Sequence, residues 1–164
     1  MTTSQGGSPV SPTLRGRLVG QEVRAMRELA GLTVAEVAAR SRGGVRQIER
    51  VEAGHVPIRF PDMVACAPVL GDQYQRLFQS SQEAHLTELR CTWGVEATRV
   101  LDLLHATATG VHTVAHGTRP FTLFLMPDGP DVVFHAHLTA AFFTEDDGET
   151  SAARHIADAL PADS

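Results

Sequence analysis

The sequence predicts a mainly α-helical N-terminal part of five helices, followed by a small α+β domain with a short antiparallel sheet. Apolar residues recur at three- and four-residue steps as far as about residue 107, and then at two-residue steps in several short segments. The net charge also differs between the two parts of the chain. Residues 1–71 carry nine Arg and six acidic residues, net +3, whereas residues 72–164 carry five Arg and thirteen acidic residues, net −8. This division suits one part that approaches phosphate and another that avoids it.

The amino-acid composition indicates which partners and which cellular compartment to expect. Every basic residue is Arg, whose guanidinium forks onto phosphate or guanine edges in a way that Lys cannot. The two cysteines, Cys66 and Cys91, lack metal-site or framework spacing, so a reducing cytoplasm is the expected compartment. No apolar run approaches the length of a membrane span. Residues 1–13 are small and polar and are predicted to form a disordered leader.

The first three helices have clear start and stop signals. They are predicted at residues 14–30, 33–40 and 45–53. Gly31 and Gly54 follow the first and third helices, where a C-terminal glycine is favoured. Thr33 and Glu36 have the spacing of a capping box, in which each side chain satisfies a free backbone donor at the helix start.

The remaining elements follow from the same signals. A fourth helix is predicted at 61–71, opened by Pro61 and disturbed by Pro68, and a fifth at 72–90. After a break at "CTWG", a further helix is expected at 95–107. Alternating segments then predict strands at 111–116, 121–126 and 131–138, a short fourth strand at 140–143, and a closing helix at 149–160.

Residues 31–54, "GLTVAEVAARSRGGVRQIERVEAG", contain two short helices joined by a glycine turn. Such a pair places the second helix across the first, where it can enter a DNA major groove. The segment resembles the helix-turn-helix of the phage-repressor-like (Cro/C1, or XRE) family. The resemblance implies a lambda-repressor-like DNA-binding domain over residues 14–71, with helix 72–90 as an extension, in a transcriptional regulator that binds operator DNA as a dimer.

Candidate DNA-contacting residues follow from this arrangement. Those expected to face base edges from the third helix are Gly44, Val45, Arg46, Gln47 and Arg50. Those expected to position the domain on phosphates are Arg24, Thr33, Arg42 and Arg59. Arg27 and Glu52 are charged, but the resemblance implies a buried structural ion pair between the first and third helices.

The helix-turn-helix departs from the family in two places. Val34 stands where the family often has a DNA-contacting Gln, and Gly43 and Gly44 remove side chains from the start of the third helix. These departures leave an alternative open. In this alternative, the chain is a protein-interaction module, such as an antitoxin-like or adaptor protein, and its helix-turn-helix is degenerate.

Residues 93–164 resemble the C-terminal part of DUF5753, a domain that follows helix-turn-helix modules in actinobacterial regulators. The resemblance is carried by "VEATRVLDLL", "GVHTV", "PFTLFLMPDGPDVVF" and "FFTEDDGET". The available length implies a truncated copy with a sensing or interaction role. The resemblance also implies, as partners, a small DUF397-type protein or an unknown small-molecule effector.

Other chemistry has weaker support in the sequence. His135 and His137 share one face of a predicted strand, and His112 and His116 share another, which leaves a metal site open as an alternative to plain surface histidines. No catalytic or nucleotide-binding motif occurs. We therefore expect no enzyme activity, no cofactor and no metal, and we expect double-stranded DNA rather than a membrane as the partner.

Overall fold

A computed structural model describes residues 12–59, 61–62, 64, 74–83, 86–115 and 119–160. In its N-terminal part the helices are α1 (Leu14–Leu29), α2 (Val34–Arg40), α3 (Gly44–Glu52) and α4 (Tyr74–Gln82). No helix of the described residues is long and apolar enough to cross a lipid bilayer.

The C-terminal part is a five-stranded antiparallel sheet with one helix on each face. Its elements are β1 (Glu88–Thr92), α5 (Val95–Thr107), β2 (Gly110–Val114), β3 (Phe121–Leu125), β4 (Val132–Ala136), β5 (Ala140–Thr144) and α6 (Asp147–Ala159). Strands β2 to β5 form a meander, and β1 pairs with β5, so that the strand order is β1-β5-β4-β3-β2.

The first three helices and α4 enclose one apolar core. Its buried side chains are Val19, Val23, Val37, Ala38, Ile48, Val51, Ile58 and Leu77. Helix α1 approaches the end of α3 so closely that a Cβ on Gly20 would lie 2.5 Å from the carbonyl oxygen of Glu52. Gly54, which ends α3 with a φ of 79°, would likewise bring a Cβ within 2.6 Å of the Arg17 nitrogen. Only glycine allows this contact between α1 and α3.

The sheet buries a different set of side chains on each face, as the two-residue period of a strand requires. On one face Phe124, Val132, Ala141 and Phe143 pack against α5. On the other face Phe121, Leu123 and Val133 pack against Ala153 of α6. Leu14, from the first turn of α1, belongs to the core on the α5 side.

Helix α1 is therefore shared by the two parts of the chain. The backbone N–H of Leu14 donates to Oε1 of Glu145, just after β5, over 2.7 Å. The Arg15 guanidinium donates to the carbonyl oxygen of Glu88 in β1, and that of Arg17 to the carbonyl of Asp128 in the β3–β4 turn. These contacts fix the start of α1 against the sheet.

Much of the predicted organisation is confirmed. A helical N-terminal part precedes a small domain with an antiparallel sheet. The first three helices and the four predicted strands lie at the expected places, with ends displaced by a few residues. The fourth helix, predicted at 61–71, lies mostly outside the described residues, as do residues 1–11 of the leader.

Three boundaries were wrong. The helix predicted at 72–90 ends at Gln82, and residues 88–92 are strand β1, because Leu89 and Cys91 alternate toward the sheet core when β1 pairs with β5. The break predicted at "CTWG" therefore begins inside a strand, and the sheet domain begins at about residue 88 instead of 93. The leader is also shorter than residues 1–13, since Pro12 is buried and Thr13 caps α1 through its hydroxyl.

The buried carboxyl of Glu145 predicts a pH-dependent stability. It is only 4% exposed, and burial raises its pKa to about 7, although the Leu14 N–H and the nearby Arg17 charge oppose this. The folded state therefore holds this proton more tightly than the unfolded state does, and the resulting stabilisation is lost as pH rises from about 4.5 to about 7. Across this range we expect the wild type to lose roughly 3 kcal/mol of unfolding free energy relative to Glu145→Gln.

Urea titrations at several pH values between 5 and 8 measure this difference. Gln keeps an oxygen acceptor for the Leu14 N–H but does not titrate. The matched control is Glu96→Gln, which removes an exposed carboxylate of α5 and should keep the pH dependence of the wild type. Parallel pH profiles for Glu145→Gln and wild type would contradict the assignment.

Candidate nucleic-acid interface

The start of α2 is closed by a complete capping box. Thr33 Oγ1 accepts from the Glu36 N–H over 3.2 Å, and Oε2 of Glu36 accepts from both the Thr33 N–H and its hydroxyl over 2.7 Å. The hydrogen bonds from the Thr33 backbone and hydroxyl lower the pKa of the Glu36 carboxyl, which therefore stays charged. The N–H and hydroxyl donors of Thr33 are thus used within the protein, and a carboxylate lies at the start of α2.

Helix α3 presents a polar outer face above a buried inner one. Ile48 and Val51 point into the N-terminal core. Val45, Arg46 and Arg50 are exposed, and Gln47 is half-buried beside Gly43. Because Arg46 and Arg50 are four residues apart, their side chains lie on the same side of the helix. Neither guanidinium has a hydrogen-bond or ion-pair partner among the described residues, so both are available to an external acceptor.

An ion pair fixes α3 to α1. Arg27 Nε and NH2 donate to the two carboxylate oxygens of Glu52 over 2.7 Å and 2.9 Å, and Arg27 NH1 donates to the Leu32 carbonyl. The two side chains are only 11% and 9% exposed. The hydrogen bond to Glu52 raises the pKa of Arg27. The bidentate geometry restricts rotation of α3 against α1.

The predicted phosphate-positioning residues differ in how free they are. Arg42, in the α2–α3 turn, is exposed and has no partner among the described residues. Arg24 is paired with Glu28 over 2.8 Å, and Arg59, close to Gly43, is paired with the buried Asp62 over 2.8 Å. The neighbouring carboxylates offset the positive charge of Arg24 and Arg59, although each of these two pairs engages only the Nε of the guanidinium.

The structure brings the predicted base-reading residues together on the start and outer face of α3. Gly44 has a φ of 71°, and a Cβ there would meet nothing within 4 Å, so the start of α3 is open. Sequence reasoning missed Arg15, Arg17 and Glu145, which link this domain to the sheet. Their partners lie more than 70 residues away in the chain, and no local pattern points to them.

The described histidines of the sheet domain and Cys91 lie apart from this surface. In the described part of the chain, no three His, Cys, Asp or Glu side chains are arranged to hold a metal ion. His135 contacts Glu149 over 2.8 Å, and His116 lies outside the described residues. Cys91 is a free thiol in the sheet core, and burial raises its pKa. Cys66 is not among the described residues.

Comparison with known protein families identifies the N-terminal part. Residues 18–72 match a family model described as a helix-turn-helix domain. This part of the chain is a helix-turn-helix domain. The match begins at the fifth residue of α1, includes α2 and α3, and ends two residues before α4. No curated protein and no solved structure matches the chain.

The helix-turn-helix domain confirms the predicted motif and makes DNA the expected partner. The match does not reach the sheet domain, and it describes the motif without a subfamily. The XRE assignment, the DUF5753 likeness and the actinobacterial origin therefore stay predictions.

The Arg27–Glu52 pair predicts a large effect on stability. Removing one member leaves the other largely buried without its bidentate partner, so Arg27→Ala or Glu52→Ala should lower the unfolding free energy by about 3–5 kcal/mol. Arg46→Ala removes the same type of side chain from the exposed face and should change stability by about 0.5 kcal/mol or less. Thermal melts followed by circular dichroism compare the three variants. If Glu52→Ala has the same melting temperature as the wild type, the Arg27–Glu52 pair does not stabilise the domain.

Proposed function

We propose that this protein is a transcriptional regulator that binds a specific operator sequence as a dimer through α3 of its helix-turn-helix domain. The observation that carries the proposal is the pair of exposed arginines, Arg46 and Arg50, on a helix that the Arg27–Glu52 pair holds in place. A guanidinium fork matches the O6 and N7 acceptors of guanine in the major groove. In this proposal the regulator is of the XRE type, and its C-terminal part is a shortened DUF5753-like domain.

Contacts to DNA phosphates would come from residues beside the start of α3. Arg42 is free, and Arg59 lies close to Gly43 at the same end of the helix. The start of α2 contributes less, because the Glu36 carboxylate occupies the Thr33 N–H and hydroxyl and its negative charge repels a phosphate. With few DNA contacts from each domain, the affinity for DNA would depend mainly on two domains of a dimer that bind two half-sites.

The alternative function, a protein-interaction module, has an observation in its favour. Both the closed start of α2 and Val34 reduce the number of DNA contacts that the family would make. DNA binding decides between the two functions. A regulator selects one sequence from a random pool at moderate salt, whereas an interaction module shows only weak, salt-sensitive binding without sequence preference.

Base reading by α3 predicts a specific pattern of losses. On DNA selected from a random pool, Arg46→Ala and Arg50→Ala should each weaken binding by about 1–3 kcal/mol and relax the preference at one base pair. Fluorescence anisotropy titrations at fixed salt measure the affinity, and a repeated selection measures the preference.

Arg154→Ala is the matched control, because Arg154 is an exposed arginine of α6 in the sheet domain. It should bind the operator as the wild type does. If Arg46→Ala and Arg50→Ala keep both the affinity and the sequence preference of the wild type, α3 is not the base-reading helix.

The edge of the sheet offers a dimer contact. The outer edge of β1 is partly occupied, because Arg15 donates two hydrogen bonds to the Glu88 carbonyl. Strand β2 pairs only with β3 in the described part of the chain, and Val111 on it is 42% exposed. A free edge strand pairs readily with the same strand of a second copy across a twofold axis.

Dimerisation through β2 predicts that Val111→Lys dissociates the full-length protein, because a charge on an edge strand opposes pairing. Sedimentation should show a monomer. Binding to an operator with two half-sites should weaken strongly, with the affinity for one half-site unchanged. Leu138→Lys adds the same charge at a fully exposed apolar residue in the β4–β5 turn and should remain a dimer. A dimeric Val111→Lys protein would place the contact elsewhere.

A further inference from the structure

One face of the sheet is only partly covered. Helix α6 packs against β2, β3 and β4 on this face. Beside it a cavity of about 580 Å³, which we call the sheet groove, opens over β1, β4 and β5. Its volume lies in the range of small-molecule binding sites. The side chains that matter for its chemistry are Arg90, Arg119, His135, His137, Phe142 and Glu149.

The floor of the groove combines two aromatic rings, inclined at 66° to each other, with a guanidinium over one of them. Arg90 and Phe142 are cross-strand partners in β1 and β5, and the Arg90 guanidinium carbon lies 5.2 Å from the centre of the Phe142 ring. The His137 ring contacts the same phenyl ring edge-on, with 4.8 Å between the ring centres. A planar ring entering the groove can stack on these groups.

Two guanidinium groups in the groove are available to an anion. Arg90 and Arg119 have no carboxylate partner among the described residues, although Glu88 and Glu149 also line the cavity. Oε1 of Glu149 lies within hydrogen-bond distance of the His135 ring, at 2.8 Å, so this oxygen is already engaged. Glu88 lies two residues before Arg90 on the same face of β1 and forms no ion pair with it. A guanidinium that already rests on a ring is well placed to bind a carboxylate.

We propose that the sheet groove binds a small planar organic anion, an aromatic carboxylate of one or two rings. The ring packs against the aromatic side chains of Phe142 and His137, and the carboxylate accepts hydrogen bonds from Arg90. This assigns a chemical class to the effector of the proposed regulator, and for its effect on DNA the inference rests on the proposed function.

The groove is connected to the helix-turn-helix domain by short paths. Thr144 lines the groove, and the next residue, Glu145, accepts the hydrogen bond from the first N–H of α1. Glu88 also lines the groove, and its carbonyl accepts from Arg15 of α1. A ligand that shifts β1 or β5 therefore changes the position of α1 on the sheet. The Arg27–Glu52 ion pair in turn fixes α3, the proposed DNA-reading helix, to α1.

Isothermal calorimetry of the full-length protein tests the site without DNA. The probes are benzoate, 4-hydroxybenzoate and 2-naphthoate, with uncharged 2-naphthamide as the matched neutral ligand. We expect saturable binding of at least one anion, with one site per chain, and at least tenfold weaker binding of its neutral amide. Arg90→Gln and Phe142→Leu should each weaken binding at least tenfold, and Arg90→Lys, which keeps the charge without the fork, should weaken it less than Arg90→Gln does.

The control for these variants is Arg99→Gln, which removes an arginine of α5 on the opposite side of the sheet and should bind the anions as the wild type does. Circular dichroism melts establish that each variant is folded. The site assignment is overturned if none of the three anions binds, or if a folded Arg90→Gln protein binds them as tightly as the wild type.

Operator titrations then test the connection to DNA. Saturating anion should change the DNA affinity of the wild type several-fold and leave that of Arg90→Gln unchanged. By reciprocity the operator must change the anion affinity by the same factor. An anion that binds without altering DNA affinity overturns the connection. A wild type that selects no DNA sequence overturns the proposed function, and the calorimetric assignment of the groove stands.

Discussion

The structure depends on a helix that belongs to two cores at once. The first turn of α1 is packed into the sheet, where Leu14 lies with Phe124 and Phe143, and later turns place Val19 and Val23 in the helix-turn-helix core. The free backbone donor at the start of α1 is satisfied by Glu145 from the far end of the chain. The two parts cannot separate without exposing Leu14 and releasing this hydrogen bond, so they behave as one coupled body.

This sharing sets the position of the candidate DNA-binding surface. The sheet fixes the start of α1, and Arg27 near its other end fixes α3 through Glu52. The outer face of α3 is therefore placed relative to the sheet through α1, and His55, just after α3, also contacts Asp128 in the β3–β4 turn. These contacts connect the acidic sheet domain to the surface that carries Arg46 and Arg50.

The sequence predicts what is local and misses what is distant. The capping box of α2 and the glycines after α1 and α3 are local signals, and the helix ends lie within a residue or two of the prediction. Strand β1 was predicted as helix because Leu86 and Leu89 continue the helical spacing of the preceding segment. Its true partner, β5, lies about 50 residues further along, and only that pairing buries Cys91 and Leu89 on the same face.

The exposed face of α3 was predictable, because Ile48 and Val51 identify the inner side of a three-turn helix and the rest follows from the period. Glu145 was not, since it stands in an acidic stretch, "TEDDGE", that has the composition of a solvated loop. Burying it is unfavourable, as its raised pKa indicates, and an apolar residue would fill the same space more stably. The carboxyl nevertheless accepts from the first N–H of α1, which an apolar residue could not do. Under the proposal that the sheet groove binds an anion, the ligand would lie beside Thr144, one residue from this hydrogen bond.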